Sequence, residues 1–93
     1  MSNWELISFV MASEARFKIL LSLKENVQTP TDLRKAFNIP ISRVSAVLKE
    51  LSEKGLVKNL TPERRKSKIY SITELGKEVL SEIHNLTRSG DKK

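Results

Sequence analysis

The stretch Pro40-Ile-Ser-Arg-Val-Ser-Ala-Val-Leu-Lys-Glu-Leu-Ser-Glu-Lys-Gly55 decides the fold of this chain. Its apolar residues recur at spacings of three and four, which is the stripe of an amphipathic helix. Pro40 is tolerated in the first turn of a helix, and Gly55 stands where a left-handed C-terminal cap is expected. We therefore predict a helix over residues 41–54 with its apolar stripe in the core. The stripe consists of Val44, Val47, Leu48 and Leu51.

The opposite face of this predicted helix combines small side chains with cations, and it has no acidic residue before Glu50. A face of this kind fits a groove lined with phosphates, so we interpret it as a DNA recognition helix. Arg43 can make a bidentate contact to guanine, Ala46 can touch a thymine methyl group, and Lys49 favours a phosphate contact. The face consists of Ser42, Arg43, Ser45, Ala46 and Lys49.

The charge of the chain is concentrated in its middle. The 93 residues carry a formal net charge of +6, which favours a polyanionic partner. Ten Lys or Arg and three acidic residues lie within 34–68, against seven and eight in the remainder. Length and composition are those of an ordinary globular protein, and we predict one domain over residues 1–93.

Several classes of function have no support in the sequence. There is no cysteine and a single histidine, His84, so we expect no disulfide, no metal site and no cofactor. No glycine-rich phosphate loop or nucleophile motif is present, so we do not expect an enzyme. The chain shows no secretory signal and no apolar run long enough for a membrane span, and we expect a cytoplasmic protein.

Helical patterns precede the recognition helix. Residues 3–23 predict an interrupted helical segment that restarts with Ser13 as N-cap. Residues 27–28 suit a very short strand, and residues 29–38 predict a short helix that starts with Thr29 as cap and Pro30 in the first turn. A short turn joins the helix predicted over residues 29–38 to the recognition helix, and the two together form a helix-turn-helix.

A hairpin pattern and a last helix follow Gly55. Residues 56–73 predict two strands joined by a basic loop, residues 74–88 a C-terminal helix capped by Thr73, and residues 89–93 a frayed polar tail. The predicted fold is mainly α with a small β-hairpin. Its order is helix, short strand, helix, turn, recognition helix, two-stranded wing and C-terminal helix.

Three motifs in this order resemble those of the ArsR-type and MarR-type winged helix-turn-helix transcription regulators. Val44-Ser45-x-x-Leu48-Lys49-x-Leu51-x-x-x-Gly55-Leu56-Val57 is similar to their recognition-helix signature. Tyr70-Ser71-Ile72-Thr73-x-x-Gly76 resembles their second wing strand entering the last helix, and Ala15-Arg16-Phe17-Lys18-Ile19-Leu20 their first-helix core run. The resemblance covers residues 12–80 and is specific for the superfamily rather than for one member.

The resemblance implies a homodimeric regulator that binds double-stranded DNA, with the recognition helix in the major groove and the basic wing on the backbone or minor groove. By position, the recognition face just listed would contact DNA. The wing would contribute Arg64, Arg65, Lys66 and Lys68, and the preceding helix would hold phosphate through the hydroxyls and free backbone N–H groups of Thr29 and Thr31.

The dimer interface is expected on the first segment and the last helix, although the first segment suits the core of the monomer equally well. The candidate interface residues are Trp4, Ile7, Val10, Met11, Val79, Ile83 and Leu86.

Two other functions remain open from the sequence: a winged-helix protein-interaction module and a non-specific architectural DNA-binding protein. The recognition face has cations and small residues without large apolar side chains, which favours DNA over a protein partner. Arg43 favours base readout over architectural binding. The sequence does not indicate an effector.

Overall fold

The computed structural model describes the backbone of residues 3–91 and the side chains of residues 3–86. Five helices and one two-stranded antiparallel sheet form the described chain, which confirms the predicted fold class. None of the described helices is long and apolar enough to cross a bilayer. The elements are α1 (Trp4–Met11), α2 (Glu14–Glu25), α3 (Pro30–Phe37), α4 (Ile41–Glu53), β1 (Val57–Asn59), β2 (Tyr70–Ile72) and α5 (Glu74–Asp91).

The first predicted segment is two helices. Its break lies at Ala12 and Ser13, where Ser13 adopts an extended backbone and its hydroxyl accepts a hydrogen bond from the Arg16 backbone N–H at 3.4 Å. This confirms Ser13 as the N-cap of α2. α2 continues to Glu25, two residues past the predicted end, because the Asn26 N–H still bonds to the Ser22 carbonyl at 3.3 Å.

The helix-turn-helix consists of α3 and α4. Thr29 and Asp32 form a reciprocal capping box at the start of α3, as their spacing predicts, and α3 ends at the left-handed residue Asn38 (φ 54°). Pro40 is the N-cap of α4 rather than part of its first turn, with ψ 147° and its carbonyl accepting from the Val44 N–H at 3.1 Å.

The predicted left-handed residue after α4 is confirmed. Gly55 has φ 77°, its N–H bonds to the Ser52 carbonyl at 2.9 Å, and the N–H of Leu56 bonds to the Leu51 carbonyl at 2.9 Å. These two bonds form a Schellman motif, which satisfies carbonyls at the end of the helix. The chain is thereby turned directly from α4 into β1.

The wing strands are shorter than the predicted hairpin over 56–73. β1 and β2 pair in the register Val57 to Ile72 and Asn59 to Tyr70. Beyond that register one backbone bond remains, from the Leu60 N–H to the Ile69 carbonyl at 2.7 Å. The Ile69 N–H donates instead to the Thr61 hydroxyl at 3.0 Å, which ends the ladder. The predicted strand at 27–28 is a single bridge between Gln28 and Tyr70.

The core is continuous from α1 to α5. Leu20, Leu33 and Leu48 are almost fully buried, as is Val79 of α5. Within the described residues no polar or charged residue is buried. α5 extends through the predicted tail to Asp91, three residues past the predicted end at 88, while Lys92 and Lys93 lie outside the described residues.

Candidate nucleic-acid interface

The two faces of α4 are divided as its periodicity predicts. The stripe of Val44, Val47, Leu48 and Leu51 is at most 3% exposed and packs into the core. The opposite face, formed by Ser42, Arg43, Ser45, Ala46 and Lys49, is exposed. The helix therefore presents small and cationic side chains to solvent along most of its length.

A groove of about 860 Å³ lies between α4, the start of α3 and the wing. Lys49 enters it from α4, and Arg65, Lys66 and Lys68 enter it from the loop between the strands. Thr31 and Ser45 add hydroxyl groups. Six residues that the sequence predicts to bind DNA are thus brought to one groove from three elements, and no acidic residue lines it in the described part of the chain.

The other predicted residues lie outside this groove. Arg43 is at the far edge of the α4 face and lines a second cavity of about 560 Å³ with Glu14 and Lys18 of α2. Ser42 and Ala46 are exposed on α4 between the two concavities. The exposed face therefore has a wing side, where the cations converge, and an α2 side, where Arg43 stands apart from them.

Thr29 and Arg64 have structural partners. The Thr29 N–H donates to Oδ2 of Asp32 at 3.1 Å, so the backbone N–H predicted to hold phosphate is already bonded within the capping box. Arg64 Nη1 donates to the Ser67 carbonyl at 3.1 Å and organises the loop. Thr29 and Arg64 thus stabilise the elements that carry the groove, and neither residue lines it.

The arrangement of helices and wing is that of a known family. A family model described as winged helix-turn-helix matches residues 13–90. The chain belongs to this family. The resemblance seen in the sequence is therefore confirmed at the level of the winged helix-turn-helix. No curated protein sequence matches the chain significantly.

Solved structures share the fold. HlyU from Vibrio cholerae is 26% identical, with 95% of this chain and 96% of HlyU covered and a TM-score of 0.69. The adhesin competence repressor AdcR from Streptococcus pyogenes is 26% identical, with 83% of this chain covered and a TM-score of 0.70. A mutant MarR from E. coli in complex with operator DNA is 24% identical, with 88% of this chain covered and a TM-score of 0.72, which shows the fold alone. This winged helix spans 59% of AdcR and 63% of that MarR chain.

The structure adds groove residues that the sequence reasoning missed. Tyr70 and Asn59 line the groove from paired positions on the two strands, and Ile41 and Ser52 line it from α4. The hairpin register would have placed Tyr70 and Asn59 on one side, because paired residues of an antiparallel ladder share a face. Ile41 is 44% exposed at the first position of α4, so this face includes one large apolar side chain.

The predicted dimer residues fall into two groups. Ile7, Val10, Val79 and Ile83 are at most 7% exposed and belong to the core of the monomer, so they offer no surface to a partner. Their apolar periodicity arises from packing of α1 and α5 against the remaining helices. Trp4, Met11 and Leu86 are 56%, 53% and 46% exposed and remain available.

Proposed function

We propose that this winged helix is a sequence-specific regulator of transcription that binds double-stranded DNA as a homodimer. The observation that carries the proposal is the acid-free groove between α4 and the wing, with Lys49, Arg65, Lys66 and Lys68 along it. A groove with four cations and hydroxyl groups matches the regular negative charge of a phosphate backbone.

In this proposal α4 and the wing, which line opposite sides of the groove, contact different parts of the DNA. When α4 lies in the major groove, the wing cations hold the neighbouring backbone, and their affinity does not depend on sequence. The exposed face of α4 then meets base edges with Ser42, Ala46 and Arg43. A bidentate contact from Arg43 to guanine contributes about 1–3 kcal/mol of discrimination. Arg43 suits this task because no hydrogen bond or ion pair engages its side chain among the described residues.

Similar proteins support the proposal. AdcR is named a repressor, and the structure of the MarR mutant contains operator DNA. A dimer of this winged helix would present two α4 helices about 34–36 Å apart, one turn of DNA, and would read a pseudo-palindromic site. The exposed Trp4 and Met11 of α1 and Leu86 of α5 are the proposed interface.

Selection of bound sequences from a random pool of duplexes tests the proposal. We expect a defined motif with two related half-sites. Enrichment without a motif would indicate an architectural DNA-binding protein, and no enrichment would indicate a protein-interaction module. Arg43→Ala is the matched variant: it should relax the motif at one base pair of each half-site while other positions keep their preference.

A further inference from the structure

Arg16 of α2 contacts two other helices at once. Its Nε donates to Oε1 of Glu50 on α4 at 3.1 Å, and its Nη1 donates to the carbonyl of Phe9 on α1 at 2.7 Å. The guanidinium carbon also lies 3.9 Å from the centroid of the Phe9 ring, a cation–π distance. The side chain of Arg16 is 21% exposed and that of Glu50 is 42% exposed, so the ion pair between them is partly open to water.

Each of the two hydrogen bonds from Arg16 stabilises the C-terminal end of a helix. The Phe9 carbonyl is one of the last four of α1, which have no partner within the helix, and a cation there also faces the negative end of the helix dipole. Glu50 lies in the last turn of α4, where a carboxylate is unfavourable near the same end of the dipole. One guanidinium stabilises both positions, and its planar fork fixes the direction of both bonds.

Two kinds of contact hold α4 in place. The stripe that buries α4 is held by apolar contacts, which are not directional. The bond from Arg16 to Glu50 is directional, and its other arm ends on α1, the helix that carries exposed Trp4 and Met11. The guanidinium is therefore a direct link between the proposed dimer helix and the proposed recognition helix.

We propose that Arg16 is a positioning residue that sets the orientation of α4 relative to α1 and thereby selects the spacing between the two DNA half-sites. The proposal rests on the proposed homodimeric, DNA-binding function. Arg16 itself touches no DNA. It acts through Glu50. A substitution such as Arg16→Lys keeps the positive charge but removes the planar guanidinium, so it should weaken the preference of the dimer for one spacing between half-sites.

A panel of duplexes tests this, with the two selected half-sites separated by spacers that differ in steps of one base pair. The variants are Arg16→Lys and the milder Glu50→Gln. The matched control is Lys18→Gln, which removes the ion pair to Glu14 at 3.3 Å within α2; among the described residues Lys18 forms no ion pair with α4. We expect the preference of wild type for its best spacing to fall about threefold in both variants, the scale of a partly exposed ion pair, and to persist in the control.

A second measurement does not depend on DNA. The chain has no cysteine, so spin labels can be placed at the exposed positions Ser8 of α1 and Ser42 of α4 alone. Pulsed electron paramagnetic resonance, with labelled chains diluted in unlabelled ones, gives the distance distribution within one subunit. Arg16→Lys and Glu50→Gln should broaden it and Lys18→Gln should leave it unchanged.

Wild-type spacing preference and an unchanged distribution in both variants would overturn the role of Arg16. Equal loss of affinity at every spacing, with an unchanged distribution, would reduce Arg16 to a general stabilising residue and would also overturn it. A wild-type protein that selects no duplex would instead contradict the proposed function, and the label distances would still decide whether Arg16 orients α4.

Discussion

The side-chain oxygen of Thr73 lies 2.7 Å from the carbonyl oxygen of Gly55 and 3.0 Å from the backbone nitrogen of Gly76. The hydroxyl donates to the carbonyl and accepts from the N–H, so one side chain caps α5 and connects it to the turn at the end of α4. The Thr73 N–H adds a bond to the Leu56 carbonyl at 3.0 Å. The start of α5 is thus connected to the turn that follows α4.

Replacing Thr73 by Val should therefore destabilise the protein by about 1–3 kcal/mol, because it removes a cap and leaves the Gly55 carbonyl without its donor. Denaturation by urea, followed by circular dichroism, gives the free energy of unfolding. Thr73→Ser keeps the hydroxyl and should retain most of the stability. Equal stability of the Val variant and wild type would show that water replaces both bonds.

Gly76→Ala should destabilise the protein although it lies inside a helix. A Cβ at this position meets the Leu56 carbonyl oxygen and lies 2.6 Å from Cγ1 of Ile72. The overlap should cost about 1–3 kcal/mol. This cost outweighs or offsets the advantage of about 1 kcal/mol that Ala normally has over Gly in helices, so we expect the variant to be less stable than wild type. Thermal and chemical denaturation check the sign.

Gly55 is the matched control for this substitution. A Cβ at Gly55 has only Leu75 Cδ2 nearby, at 3.9 Å, but the residue has φ 77°. Asn tolerates this backbone, so Gly55→Asn should be milder than Gly55→Ala. At Gly76 the larger Asn should be worse than Ala. The same order of variants at both positions would contradict the distinction between backbone strain and lack of space.

The salt dependence of DNA binding should identify the wing residues that touch phosphate. Arg65→Ala and Lys66→Ala should each reduce the slope of log affinity against log salt by about 0.9, because each removes one released counterion. Arg64→Ala should change the slope less, since the Arg64 guanidinium is directed to the Ser67 carbonyl. Fluorescence anisotropy at several salt concentrations provides the slopes.

The matched control for the wing is Lys77→Ala, which removes the same charge from α5, where Lys77 pairs with Glu74 at 3.6 Å. Its slope should equal that of wild type. A reduction as large as that of Arg65→Ala would mean that net charge, rather than the groove, determines the salt dependence.

The exposed apolar residues of α1 predict how a dimer can be disrupted. Trp4→Glu with Met11→Glu should weaken dimerisation at least about tenfold, because complete burial of a side chain of this size contributes about 1.5–3 kcal/mol. Val27→Glu is the control, since Val27 is 54% exposed but lies between α2 and α3. Sedimentation equilibrium measures the association. A wild-type monomer at micromolar concentration would exclude the dimer itself.

Local signals in the sequence were sufficient to predict the helices and some of their ends, although α2 and α5 continue past the predicted ends. The capping box of Thr29 and Asp32 and the left-handed Gly55 depend on residues a few positions apart, and the structure confirms them. Strand ends were less predictable, because the Thr61 hydroxyl bonds to an N–H eight residues away and ends the ladder early.

Contacts between distant residues were not predictable from one sequence. Periodicity identified Ile7 and Val79 as apolar face residues but could not tell whether the same subunit or a partner covers them, and the monomer core does. Arg16 and Glu50 are 34 positions apart, so no local pattern relates them. For the same reason the groove residue Tyr70 was identified only as a strand former.

Hydrogen bonds at the base of the wing separate its loop from the rest of the fold. The Thr61 hydroxyl holds the Ile69 N–H, and the Leu60 N–H bonds to the Ile69 carbonyl at 2.7 Å, so the chain is closed before residues 62–68 begin. The length and the charge of this seven-residue loop can therefore change without changing the packing of the hydrophobic core. We therefore expect that a loop of another length or charge can be grafted between Thr61 and Ile69, which would change general affinity for a polyanion without altering the base preference proposed for α4.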